Sequence, residues 1–120
     1  MKIALDIDDT ITKHPDFFAK LSKEYDCVIV TSRDATVDSV ELTKQLMNVL
    51  SIRYSALYFC DWQADLSDLI PDELEGAQRL LYQKVLACKK AQVTAIFDDD
   101  VTVQQLIKQY LPKVAVFSPV

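Results

Sequence analysis

Glycine is nearly missing from this chain: Gly76 is the only one in 120 residues. A Walker-type phosphate loop and the dinucleotide fingerprint each need several glycines at fixed spacing, so both are excluded. Basic charge is also short, with 13 Lys and Arg against 18 Asp and Glu and a formal net charge of −5. That balance argues against non-specific nucleic-acid binding and against an anionic membrane surface, since both need cations to displace counterions or meet headgroups. Cysteine is limited to Cys27, Cys60 and Cys88, an odd number without CxxC spacing, each in or beside an apolar segment. They read as core thiols in a reducing cytoplasm. No apolar run reaches membrane-spanning length, and charge arrives too early for a signal peptide. Repeats, low-complexity tracts and linkers are missing too, so residues 1–120 read as one domain with one core. The composition leaves self-association open.

What is present begins at the first ten residues, where Ile3-Ala4-Leu5 runs into Asp6, Asp8 and Asp9. An apolar run without polar alternation predicts a strand buried on both faces, the kind found inside a parallel sheet, and such sheets bind ligands at the carboxyl ends of their strands. With a side-chain period of two, Asp6 and Asp8 point to one side, where neighbouring carboxylates repel unless a cation or shared proton intervenes. An acidic cluster after a strand also suits a turn or a helix cap. The pattern recurs, however: Val93 to Phe97 is a second apolar run that stops in Asp98, Asp99 and Asp100.

Between these edges, Pro15 is placed to open a helix with Phe17, Phe18 and Leu21 facing the sheet, ending near Tyr25. Cys27 to Val30 is a second strand that stops at Thr31-Ser32-Arg33. The spacing of Val37, Val40, Leu42, Leu46, Val49 and Leu50 predicts a helix over Thr36 to Leu50. Ala56 to Cys60 is a third strand, and Pro71 is positioned to start a helix reaching Ala91 on the stripe Leu74, Ala77, Leu81, Val85, Cys88. One more helix, carrying Val103, Leu106, Ile107 and Tyr110, precedes a fifth strand at Val114 to Phe117. Alternating strands and helices predict an α/β protein: a three-layer α/β/α, Rossmann-like fold on a five-stranded parallel sheet.

Taken by strand ends, the chain offers DIDDT after the first strand, TSR after the second, a Lys on the helix before the fourth, and DDD after the fourth. This order resembles the haloacid-dehalogenase-like phosphatases, from Lys2 to about Asp100. The resemblance implies Mg²⁺-dependent hydrolysis of phosphomonoesters on a small phosphorylated substrate, a sugar phosphate or a nucleotide. Asp6 resembles the nucleophile that becomes an aspartyl-phosphate. Asp8 resembles the general acid and base, whose pKa must suit both tasks. Thr31 would bind the transferred phosphoryl oxygens, with Thr10, Ser32 and Arg33 as further substrate-binding candidates. Arg33 could equally pair with a surface carboxylate.

Mg²⁺, a hard cation suited to oxygen donors, would be held by Asp6, the main-chain carbonyl of Asp8 and an acid of the last cluster. Asp98, Asp99 and Asp100 are all candidates; the resemblance favours Asp99 for the metal and Asp98 for the Lys, which leaves Asp100 as a helix cap. Among Lys84, Lys89 and Lys90, geometry favours Lys84. A helix descending ~10 Å from Lys84 to Ala91 is followed by a strand climbing back ~16 Å, which leaves Lys89 and Lys90 at the wrong end. The chain departs from larger relatives in having no room for a cap domain, so residues 61–83 are the lid candidate. His14 and Asp16 fall where the family has a mobile flap, and Trp62 and Tyr82 are candidates for the entrance. Two rivals stand beside this reading: a receiver-type signalling domain, with Asp61 as phosphoacceptor, and a non-catalytic binding module on the same fold.

Overall fold

In the computed structural model, which describes residues 1–119, Lys2–Leu5 (β1) is the centre of a five-stranded, wholly parallel sheet. A wide turn over Ile7–Ile11 leads into α1 (Pro15–Glu24), β2 (Asp26–Asp34) and α2 (Val37–Val49). Then come β3 (Ala56–Cys60), α3 (Ala77–Ala91), β4 (Ala95–Phe97), α4 (Val101–Tyr110) and β5 (Ala115–Phe117). The strand order is β3-β2-β1-β4-β5, so the chain winds outward on one side of β1 and then restarts on the other. The point between β1 and β4 is where such folds open a crevice.

The period of two explains why β1 carries no polar alternation. Ala4, Val28, Val30 and Ile96 face one side and pack on Val85, Cys88, Val103 and Ile107 of α3 and α4. Ile3, Leu5, Cys27 and Ile29 face the other, against Phe18 of α1 and Met47 of α2. Both faces are therefore covered, and each large side chain removed from water contributes roughly 1.5–3 kcal/mol. Among the described residues no helix is long and apolar enough to cross a membrane.

Four local expectations are corrected. β2 does not stop before Thr31 but runs on through Arg33 to Asp34, with a register shift between Val30 and Asp34 where it pairs with β3. Of the apolar face expected in α1, Phe18 is buried and Leu21 half-buried, while Phe17 is exposed. Half of the stripe read in α2 points outward: Val37, Leu42 and Val49 are exposed, Leu46 and Leu50 are half-buried against the core, and the fully buried residues of the helix are Thr43 and Met47, one turn apart. The helix expected from Pro71 starts only at Ala77, because Gly76 adopts φ 55° and ψ −129°, a conformation that breaks a helix and favours glycine. Pro71 serves a local turn instead, its carbonyl accepting from the Leu74 amide.

Candidate active site

Backbone register brings the two acidic strand ends together. Leu5 pairs with Phe97, so Asp6 and Asp98 each lie one residue beyond a paired position at the β1/β4 crevice. The Asp6 amide donates to the Phe97 carbonyl at 3.0 Å, and the Asp98 amide to Phe117 at 3.1 Å, which fixes both residues at the sheet edge. After Asp6 the chain turns sharply. Asp9 takes φ 62°, a left-handed conformation that Asp tolerates better than most residues, and its amide donates to Thr12 Oγ1 at 2.9 Å.

The cavity formed there, of about 180 Å³, is lined by Asp6, Asp8, Asp9, Ser32, Leu81, Lys84, Asp98, Asp99 and Asp100. Lys84 projects into it from α3 and is 2 % exposed. Its Nζ donates to Asp6 Oδ1 at 2.8 Å and to Asp98 Oδ2 at 2.7 Å, both partners being buried. Lys89 and Lys90 lie exposed in the last turn of the same helix. Burial pushes the Asp6 carboxyl up to about 7, with Lys84 opposing and Asp98 reinforcing the rise. Burial raises Asp98 as well, again against Lys84. For Lys84, burial works to lower the pKa, but the two carboxylates beside it outweigh that and hold the ammonium charged.

The acid triplet divides its labour. Asp98 is committed to Lys84 through one oxygen and accepts the Asp100 amide through the other at 2.9 Å. Asp100 caps α4, accepting from the amides of Thr102 at 2.8 Å and Val103 at 3.2 Å. Asp99 is less committed, taking a 3.3 Å bond from Thr10 Oγ1. Carboxylate oxygens of Asp6, Asp98 and Asp99 all lie within 4.8 Å of one another.

Other expected residues are placed differently. Thr10 is fully buried, and its hydroxyl, donating to Asp6 Oδ2 at 3.0 Å as well as to Asp99, braces the carboxylates instead of facing a substrate. Thr31 is buried too, its hydroxyl accepting from the Arg33 amide at 3.1 Å, and it is Ser32 that lines the cavity. Arg33 pairs with a carboxylate, but with one in the site: Nε donates to Asp8 Oδ2 at 2.9 Å and Nη2 to Asp8 Oδ1 at 2.8 Å. This two-pronged bond holds the Asp8 pKa below the usual carboxylate range, so in this arrangement Asp8 is ionised. Thr43 of α2 accepts from Arg33 Nη1 at 3.2 Å and steadies the guanidinium. Sequence reasoning missed that role, although a threonine one turn before the core residue Met47 was its available trace.

Asp61 follows β3, an edge strand separated from β1 by β2, and does not line the acid cavity. A receiver-type order, which places the third strand beside the first, is therefore not the one adopted. The three cysteines are free, and burial pushes Cys27 and Cys60 up to about 11 and Cys88 to about 12, so none supplies a thiolate near neutral pH. His14 lines a separate apolar cavity with Phe17, Phe18, Phe97 and Pro119 that shares no residue with the acid one.

No protein-family model matches this chain, and no curated protein matches it. Two solved structures, one of the Pnkp1/Rnl/Hen1 RNA repair complex and one of the Pnkp1/Rnl/Hen1 complex, contain chains of similar fold. The first aligns over 98 % of this chain with a TM-score of 0.69 at 15 % identity. The second aligns over 98 % with a TM-score of 0.68 at 17 % identity. This chain spans 42 % and 44 % of those chains, and at such identities the likeness is one of fold.

Proposed function

We propose that this chain is a phosphohydrolase of the haloacid-dehalogenase-like type that cleaves phosphomonoesters through an aspartyl-phosphate on Asp6. The observation that carries the reading is the buried Asp6–Lys84–Asp98 triad at the crevice between β1 and β4, with Asp8 lining the same cavity. Lys84 and Thr10 hold the Asp6 carboxylate in one orientation, as a nucleophile requires. In the first step an Asp6 oxygen attacks phosphorus, the bond to the leaving oxygen breaks, and Asp8 supplies that oxygen with a proton. In the second, Asp8 takes a proton from water as the water oxygen attacks phosphorus and the bond to Asp6 breaks. The Arg33 pairing favours the ionised Asp8 of the second step, so proton donation in the first requires Asp8 to loosen from Arg33.

The donors also fit a divalent cation. Six aspartates and one lysine line the cavity, an excess of negative charge that would repel a phosphate, and the converging oxygens of Asp6, Asp98 and Asp99 form a hard donor set. Asp6 and Asp99 would hold Mg²⁺, with the Asp8 carbonyl, while Asp98 stays with Lys84. When bound, the ion would offset the charge of the phosphoryl oxygens. A reducing, cytoplasmic setting, in which the free thiols persist, belongs to the same proposal.

The test is turnover by purified protein with Mg²⁺ on a panel of sugar phosphates, mononucleotides and 3′-phosphorylated oligoribonucleotides. The last are included because one of the two fold neighbours comes from a complex named for RNA repair. Phosphate release lost in Asp6→Asn is the expected result. Release that persists in that variant refutes the mechanism.

A further inference from the structure

Trp62 is the only tryptophan of the chain, and it is 57 % exposed yet held from several sides. Its indole Nε1 donates to the Ser32 carbonyl at 2.9 Å, and its amide to Asp34 Oδ1 at 3.1 Å. The preceding residue is clamped as well: the Asp61 amide donates to Gln83 Oε1 at 2.8 Å, and Gln83 Nε2 donates to the Asp61 carbonyl at 2.9 Å. Ordering a large side chain costs rotamer entropy, which burial normally offsets. Here over half the surface stays in water, so the ring is presented in a fixed pose without being packed away.

The place where it is presented adjoins the acid cavity. Ser32, whose carbonyl anchors the indole, lines that cavity. A neighbouring cavity of about 200 Å³ is lined by Trp62, Asp61, Arg79, Leu80 and Gln83, among others. Leu80 and Gln83 thus serve one cavity while Leu81 and Lys84, on the adjacent strip of α3, serve the other. A phosphate at Asp6 would leave its ester group to extend toward Trp62.

We infer that Trp62 is a stacking platform for a nucleobase, which makes the favoured substrate a phosphate ester carrying a base near the phosphate. The inference rests on the phosphohydrolase reading for the position of the phosphate. A planar, π-faced group matches an exposed indole, whereas a bare sugar phosphate has nothing to lay on it. Gln83, committed to Asp61, and Arg79, whose Nη1 donates to the Pro71 and Leu74 carbonyls, line the same cavity as Trp62. A free nucleotide and the end of an RNA strand offer the same base, and the test separates them.

Because Trp62 is the only tryptophan, its fluorescence reports on its own face. In the Asp6→Asn protein with Mg²⁺, adenosine monophosphate should quench it saturably and ribose 5-phosphate should not; no quenching, or equal quenching by both, overturns the inference. A 3′-phosphorylated oligoribonucleotide that quenches at lower concentration than the mononucleotide assigns the platform to strand ends, and the reverse assigns it to free nucleotides. In the active protein, the ratio of kcat/KM for nucleotide over ribose 5-phosphate should fall about tenfold in Trp62→Ala, the low end of base stacking since one face contributes. Trp62→Phe should recover most of that ratio. A ratio unchanged in Trp62→Ala, with turnover intact, defeats the platform and leaves the phosphohydrolase reading standing. Base-dependent quenching in a protein that hydrolyses nothing supports the platform and defeats the phosphohydrolase reading.

Discussion

Replacing Lys84 by methionine is the sharpest perturbation of the acid cavity, because it removes the cation and keeps most of the buried stem. The Lys84 side chain is 2 % exposed, and its partners Asp6 and Asp98 are 7 % and 1 % exposed, at 2.8 and 2.7 Å. Breaking a buried pair from one side leaves an uncompensated charge and costs about 3–5 kcal/mol. A domain of ordinary stability, ~5–15 kcal/mol, survives this, with a melting temperature lower by roughly 10–20 °C. The loss should depend on pH with a definite sign. A carboxyl whose pKa is raised in the fold contributes stability that is fully present below its unfolded value and is lost as pH climbs through the folded one. Asp6 sits at about 7, pushed up by burial, and Asp98 is raised with it. Without Lys84 both rise further. Lys84→Met in chelator should therefore lose little at pH 5, where the acids accept protons, and most at pH 8. Urea and thermal unfolding at the two pH values measure this. The double variant Lys84→Met, Asp98→Asn should regain part of the loss at pH 8, since one carboxylate then remains. A deficit equal at both pH values, or below about 1 kcal/mol at pH 8, would refute the buried-triad argument.

Three further outcomes follow from the site. Asp99→Asn should weaken Mg²⁺ binding at least about tenfold in calorimetry, as loss of a charged ligand implies, while unchanged affinity would move the ligand to Asp98. Asp8→Asn should cut turnover by roughly 10²–10⁴-fold yet still yield a phosphoryl adduct on Asp6 from nitrophenyl phosphate, detectable by mass spectrometry, because a good leaving group needs little protonation. Arg33→Met frees Asp8 from the bond that lowers its pKa, so the alkaline limb of the kcat/KM profile, which reports the protonated acid, should move to higher pH; a limb that stays put would show that Asp8 is not that acid.

The sheet was legible in the sequence because burial on both faces leaves unbroken apolar runs, as at Ile3 to Leu5 and Cys27 to Val30. The helices on its outside were legible in place but less so in orientation. α2 shows why: Val37, Leu42 and Val49 are exposed although apolar, while the polar Thr43 is buried beside Met47. The buried Thr43 hydroxyl is satisfied by Arg33, on another element, and no periodicity within the helix can display that. The start of α3 was misplaced for a local reason that could be read: Gly76 stands five residues after the proline taken as the start.

For the site, what the sequence could express was adjacency along a strand end; what it could not express was which oxygen each donor would take. Asp6 and Asp98 meet because β1 and β4 are neighbours and Leu5 pairs with Phe97, a relation that topology creates between distant segments. Where they meet, the neighbouring threonine hydroxyls are taken up by short-range partners. Thr10 is spent on Asp6 and Asp99, and Thr31 on the Arg33 amide, which leaves Ser32 at the cavity wall. The same competition takes Arg33 to Asp8. A substrate phosphate arriving in this cavity thus meets Lys84 already shared between two acids and Arg33 already engaged by a third. On the proposed reading the charge that receives it would come from the cation, which is why the proposed chemistry and the proposed cation stand or fall together.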